Sequence, residues 1–260
     1  MNLTSDRMHF PDYIGELKDI LDRIAYEQAG NIRQAGEIVA DSIASGGVVH
    51  TFGTGHSHII AEEAFFRAGG IAAVNPILDE RFLFLKGAME STRAERESGI
   101  ARQLIEDEDV GADDAAIIIS NSGRNAAPVE MALEMRSRGV PVIAITSLEQ
   151  SRASTPRHVS GKRLFEIADI AIDNCVPPGD ALISIEGIAS MTGASSTVAG
   201  SAIIHSIVIE ALGRLSARGI SPPVLPSANL ENTKTGTLKE ILRPFADRIR
   251  YLDIETDIDE

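Results

Sequence analysis

The sequence predicts an α/β fold: a three-layer sandwich in which a five-stranded parallel sheet is flanked by helices. Three observations point there. A mostly apolar run at 48–52 and apolar runs at 115–119 and 140–146 have the length of strands, the last suited to burial on both faces. Segments with helical spacing of apolar residues separate them, as parallel strands require. Two of these runs end in glycine-containing polar turns that open directly into a helical pattern, at Gly53-Thr-Gly55 and at Ser120-Asn-Ser-Gly-Arg-Asn125.

Taken in order, residues 11–45 place Ile14, Leu17, Ile20, Leu21, Ile24 and then Ile32, Ala35, Ile38, Val39 and Ile43 at helical spacing, as one long helix or two broken near Gly30-Asn31. Gly46-Gly47 ends that segment and the first strand follows. After the first turn, His56-Ser57-His58 opens a helix that stops at Gly69-Gly70. A second strand is expected over 71–74, ended by Asn75-Pro76. Residues 79–114 read as amphipathic helices, with 106–109 as a solvated acidic run. The stretch 147–162 reads as a loop, and a further strand is expected at 170–173. A brief edge strand at 182–185 precedes a helix start at Thr192-Gly-Ala-Ser-Ser-Thr197, and a major helix runs on to Leu215. The tail carries a proline-rich loop, a helix at 237–250 interrupted by Pro244, and an acidic end. The division expected is an N-terminal helical segment (1–46), a central domain (47–218) and a C-terminal extension (219–260).

Composition narrows the function. With 24 Lys+Arg against 38 Asp+Glu the formal charge is -14, which repels polyanions; the basic residues are not clustered along the chain, so nucleic acid is not an expected partner. No run approaches the roughly 20 apolar residues of a membrane span, and the N-terminus lacks a secretory pattern, so a cytoplasmic protein without membrane association is expected. The lone Cys175 reads as a small buried residue.

At both turns, glycine lets a ligand approach the backbone, and the unpaired N–H groups of a helix start favour an anion. Around the second turn, hydroxyl, amide and guanidinium side chains add donors. His56 and His58 flank Ser57, but alternate loop positions without further ligands do not make a metal site, and no metal or cofactor is expected. The Gly53-Thr-Gly55 turn lacks the third glycine of a dinucleotide fingerprint, His58 standing there, and no Gly-Lys-Ser/Thr ending marks a Walker loop.

Phe52-Gly-Thr-Gly-His-Ser57, Ile118-Ile-Ser-Asn-Ser-Gly123 with Arg124-Asn125, and Gly139-Val-Pro-Val-Ile-Ala-Ile-Thr146 together resemble the sugar isomerase (SIS) domain family of phosphosugar isomerases and binding proteins, from about residue 47 to 215. The order of motifs is similar to an uncharacterised bacterial branch related to phosphoheptose isomerase-like proteins. The resemblance implies a phosphosugar ligand at the strand C-terminal ends and a homodimer or homotetramer. It implies phosphate contacts from Ser57, Ser120, Ser122 and Asn125, with Gly55, Asn121 and Arg124 beside them and Ser195, Ser196 and Thr197 joining. It also implies a glutamate on the helix after the first loop, Glu63 with Glu62 as neighbour, and an acid-base histidine at His205 in His205-Ser-Ile-Val-Ile-Glu210. The spacing from the first loop to Glu62-Glu63 is shorter than in the heptose isomerases. An aldose-ketose isomerase working by enediol proton transfer is the expected function. The same family includes non-catalytic phosphosugar-binding regulators and a sugar-phosphate ether-cleaving lyase, which fold and phosphate grip do not separate.

Overall fold

A computed structural model describes residues 8–227 and 235–254. Five strands, β1 (Val49–Gly53), β2 (Val74–Ile77), β3 (Ala115–Ile119), β4 (Val142–Thr146) and β5 (Ile170–Asp173), form a parallel sheet in the order β2-β1-β3-β4-β5. The period of two along each strand sorts side chains into two cores. Ile117, Ile119, Ile143 and Ile145 join one, with α1 (Phe10–Glu27), α2 (Ala29–Ala44) and the long α8 (Ser196–Ala217). Phe52, Ala116, Ile118, Val142 and Ala144 join the other, with α5 (Ile100–Glu106) and α6 (Ala126–Ser137).

The remaining elements are α3 (Ser57–Glu63), α4 (Ala88–Ala94), α7 (Leu148–Ala153), a hairpin of β6 (Ala181–Ile183) and β7 (Thr192–Ala194), and α9 (Thr235–Leu242). Alpha-helix α8 is long and apolar enough to cross a membrane by length and composition, contrary to expectation. It instead runs along α2, with Ile203, Ile204, Ile207 and Leu215 buried in the core.

Several expectations shift. The first segment is two helices, parted at Gln28 rather than at Gly30-Asn31. The second strand starts at Val74 and contains Pro76, because β2 is an edge strand, where a missing N–H costs no ladder bond. Ile71 instead bridges Val224. The stretch 147–162 holds α7, its first turn capped by the Ser147 hydroxyl accepting from the Gln150 N–H. Residues 192–194 form a strand before the helix begins, and β6 pairs with that strand rather than with the main sheet. In the tail, α9 ends at Leu242 and a 3₁₀ turn, Arg243–Phe245, takes in Pro244. Part of the proline-rich loop and the acidic end lie outside the described residues.

The acidic run 106–109 is not simply solvated. The Glu108 side chain is 4% exposed and accepts from Asn75 Nδ2 at 2.7 Å, and Asp109 accepts from Arg248 Nε at 2.9 Å. These bonds belong to a polar network beneath the first residues of β1 and β3. His50 donates from Nε2 to Asp114 Oδ2 at 3.1 Å and accepts at Nδ1 from Asn75 Nδ2 at 3.1 Å, so the imidazole uses one donor and one acceptor. Asp114 also accepts from the Val48 and Gly111 N–H groups and from Arg248. Arg248 thereby ties the C-terminal segment to the N-terminal edge of the sheet, the edge opposite the two glycine turns.

Candidate functional site at the carboxyl edge of the sheet

Adjacent strands β1 and β3 run in register to Gly53 and Ile119, so the turns that follow them emerge side by side. The first turn is tight because α3 begins against the end of its own strand. A Cβ on Gly53 would lie 2.4 Å from the Ser57 carbonyl oxygen and 2.5 Å from its carbon, both backbone. Gly53→Ala is therefore expected to push α3 off the sheet, costing about 1–3 kcal/mol in thermal unfolding and weakening any ligand bound at this turn. In the second turn Gly123 has φ +58, and a Cβ there would meet Ser151 Oγ at 2.8 Å, so the loop sits close over α7. Residues 157 and 164 hold it from outside: Arg157 N–H donates to the Arg124 carbonyl at 3.0 Å, and Leu164 N–H to the Gly123 carbonyl at 2.8 Å.

The residue that joins the two turns is Glu95, just past α4. Its Oε2 accepts from Thr54 Oγ1 at 3.1 Å and its Oε1 from Asn125 Nδ2 at 2.8 Å. Its carbonyl accepts from the Ala127 N–H, in the first turn of α6, at 3.1 Å. Burial pushes this carboxyl above the usual glutamate range, against the opposing pull of Thr54, Arg96 and Arg157. The loop that carries Glu95 is pinned by Glu130 on α6, which accepts the Gly99 N–H at 2.8 Å on both oxygens.

Sequence reasoning did not single out Glu95. It lies in the polar run Glu90-Ser-Thr-Arg-Ala-Glu-Arg-Glu97, which looks like one solvated helix face. The one signal available was a carboxylate in the crossover between the two turn-bearing strands.

The expected residues divide. Ser57 and Ser122 are half-buried, and their hydroxyls make no hydrogen bond to another described residue, so they are open to a ligand. Ser120 is buried and its hydroxyl accepts from the Gly123 N–H at 3.1 Å, which shapes the turn. Asn125 is held between Glu95 and Arg157, whose Nη1 donates to Asn125 Oδ1 at 2.8 Å. Asn121 turns away, donating to Gln150 at 3.1 Å and accepting from Asn174 at 2.8 Å. Gly55, with φ +56, donates its N–H to the Phe82 carbonyl. Ser195 is fully buried, and it and Ser196 are taken up by Asp180, whose carboxylate accepts from both N–H groups and from the Ser196 hydroxyl. Thr197 lies half-buried in the same first turn of α8. Of the histidines flanking Ser57, His58 contacts the Gly55 carbonyl through Nδ1 and His56 packs on Phe84, ring centroids 4.8 Å apart.

Apart from Glu95, a glutamate and a histidine meet on the flank formed by α3 and α8. Glu63 Oε1 accepts from His205 Nε2 at 3.1 Å and also pairs with Arg67 at 3.3 Å, while Glu62 is exposed.

The helix N–H groups expected to grip an anion are partly engaged. At α3 the N–H groups of Ser57, His58 and Ile59 turn back to Thr54, Gly55 and His56. At α6 the Ala127 N–H goes to Glu95, and Pro128 has none. At α8 Asp180 already supplies an anion. The Ala126 N–H at the start of α6, with those of Ser122, Arg124 and Asn125 in the turn before it, has no acceptor among the described residues, so this turn offers backbone donors as well as side chains. Arg96, Arg124 and Arg157, set far apart along the chain, are brought close enough at this site for the first two to act electrostatically on the third.

The SIS domain model matches residues 12–147, a span that takes in α1 and α2 as well as both turns. A UPF0309 protein of Halalkalibacterium halodurans is 36% identical over 245 residues, covering 94% of this chain and 98% of the relative. One from Listeria innocua serovar 6a is 41% identical over 221 residues, covering 85% and 90%. Among solved structures, phosphoheptose isomerase from Neisseria gonorrhoeae superposes with a TM-score of 0.52 at 16% identity, over 77% of this chain and 95% of that one. At that identity the likeness bears on the fold, and it agrees with the five-stranded parallel sheet described above. With a domain match across half its length and full-length relatives well above 30% identity, the chain belongs to the SIS domain family and, within it, groups with the bacterial UPF0309 proteins.

Proposed function

We propose that the protein is a cytoplasmic, homo-oligomeric phosphosugar isomerase of the aldose-ketose type. Its family supports a sugar-phosphate ligand in general terms, and the neighbour from Neisseria gonorrhoeae is itself described as a phosphoheptose isomerase. The observation that carries the reaction is Glu95: a desolvated carboxylate hydrogen-bonded through Thr54 and Asn125 to the two turns, which also carry the hydroxyls of Ser57 and Ser122. Isomerisation through an enediol needs one base that moves a proton between adjacent carbons. A glutamate with its ionisation shifted toward neutrality suits that role better than an ordinary surface carboxylate. In this reading Ser57 and Ser122 hold the ester phosphate, Ser120 and Asn125 keep the second turn in shape, and Glu95 takes and returns the proton.

A second arrangement draws on the 3.1 Å contact of Glu63 with His205, which favours proton transfer by Glu63 and ring opening by His205. Hexose, amino-sugar and heptose phosphates mixed with the protein in deuterated water and followed by NMR test the function. Deuterium entering at the carbon next to the carbonyl, with aldose and ketose interconverting, is the expected result. Thermal-shift binding without exchange across the panel indicates a phosphosugar sensor instead, and release of a sugar substituent indicates an ether-cleaving lyase. Glu63→Gln separates the two arrangements: exchange survives it if Glu95 is the base and disappears if Glu63 is.

A further inference from the structure

Arg96, Arg124 and Arg157 come from three different crossovers and meet beside Glu95 and Asn125. Burial, together with the neighbouring charges of Arg124 and Arg96, pulls the Arg157 guanidinium below its usual range. The Arg124 Nε is buried and has no hydrogen-bond partner. Glu95 is the carboxylate that answers Arg157, and it is already shared between Thr54 and Asn125.

Arg96 and Arg157 act on the Glu95 carboxylate and Arg124 adds a third positive charge beside Arg157, a local excess in a chain whose formal charge is -14. Such an arrangement costs energy while nothing is bound, because like charges repel and a buried N–H goes unsatisfied. A ligand of double negative charge removes both costs. A singly charged ligand removes them only in part.

We propose that Arg124 and Arg157, with Arg96 at the rim, form a guanidinium clamp that selects the dianion of a phosphate monoester over singly charged esters of the same shape. The clamp rests on the phosphosugar reading above and gives that reading its charge specificity. Arg157 is the defining member. It reaches the site from the segment after α7, its backbone N–H holds the Arg124 carbonyl, and one of its five donors is spent on Asn125, leaving the others for the ester.

Glucose 6-phosphate and glucose 6-sulfate, with the glucosamine 6-phosphate and 6-sulfate pair, provide the test. Each pair differs by about one unit of charge at pH 7.5 with the tetrahedral shape kept. Calorimetry on the wild type is expected to favour phosphate over sulfate by about tenfold to a hundredfold, the worth of one charge-assisted hydrogen bond. Arg157→Met and Arg124→Met should each reduce that preference to a few-fold, Arg157→Lys should keep part of it, and the remote Arg33→Met should leave it intact. Thermal melts establish that each variant is folded, and Arg157→Lys, which retains the charge, carries the comparison if a methionine variant is not.

Equal affinity of the wild type for the two esters overturns the clamp. So does a preference that persists unchanged in the arginine variants. In both cases phosphosugar binding itself stands. Failure of the wild type to bind either phosphate ester overturns the phosphosugar reading and the clamp together.

Discussion

Glu95→Gln is expected to lower turnover of whichever phosphosugar the protein converts by about a thousandfold, within the 10²–10⁴ range of general acid-base catalysis, while leaving its binding within a few-fold. Glutamine keeps the length of the side chain. Its amide oxygen still accepts from Asn125, and its amide nitrogen can donate to the Thr54 hydroxyl, so the bridge between the turns survives. What it loses is the capacity to take a proton. The pH dependence has a definite sign. A base works ionised, so wild-type turnover rises with pH through the Glu95 ionisation, and burial places that rise above the ordinary glutamate value of about 4.3. The variant's residual rate lacks this rise.

Stability responds in the opposite sense. A carboxyl whose folded-state pKa is raised contributes most below its unfolded pKa, and that contribution is lost as pH rises through the folded value. Removing the charge should leave the unfolding midpoint at pH 7.5 equal to the wild type or higher. A Glu95→Gln protein with unaltered turnover would take Glu95 out of the chemistry and leave the Glu63–His205 pair as the candidate.

The contrast between Glu95 and the strands shows what can be read from the chain. The runs at 115–119 and 142–146 were legible because a strand buried on both faces needs apolar residues at every position, and few other structures do. The two turns were legible for a similar reason. Gly53 and Gly123 stand where a Cβ would strike backbone or a neighbouring hydroxyl, and that local demand is written locally. Pro76 misled because a proline stop signal does not distinguish the end of a strand from an edge strand. Glu95 and Arg157 were not legible, since their meaning lies in partners 30 or more residues distant. Glu95 bonds Asn125 and Thr54 across separations of 30 and 41 residues, and Arg157 bonds Asn125 across 32. A polar run carries no mark of which one of its carboxylates will be desolvated. Ser195 shows the converse: its position at a helix start is written locally, whereas the Asp180 carboxylate that takes the donors there lies 15 residues away.

Asp114→Ala is expected to cost about 3–5 kcal/mol of folding stability, the usual consequence of removing one partner from a buried charged network. The Asp114 side chain is fully enclosed. Burial alone would disfavour its ionisation, but hydrogen bonds from His50, from the Val48 and Gly111 N–H groups and from Arg248 outweigh it and hold the carboxyl's pKa far below the usual range. Alanine leaves all four donors facing a void, two of them backbone groups at the start of β1 and in the turn before β3. Thermal unfolding of the variant should fall by roughly 10 °C for a chain of this size. A carboxyl with a depressed folded-state pKa contributes stability above its unfolded pKa, near 3.9, and loses it progressively as pH falls toward the folded value. The gap between wild type and variant should therefore be constant from pH 8 to about pH 5 and shrink below about pH 4. Because this network lies at the edge of the sheet opposite Glu95, phosphosugar affinity of the folded variant should match the wild type. A variant that melts like the wild type at pH 7.5 would mean that Arg248 and His50 find solvent or other partners, and that the C-terminal segment is held by its apolar contacts, Leu242, Phe245 and Ile249, alone.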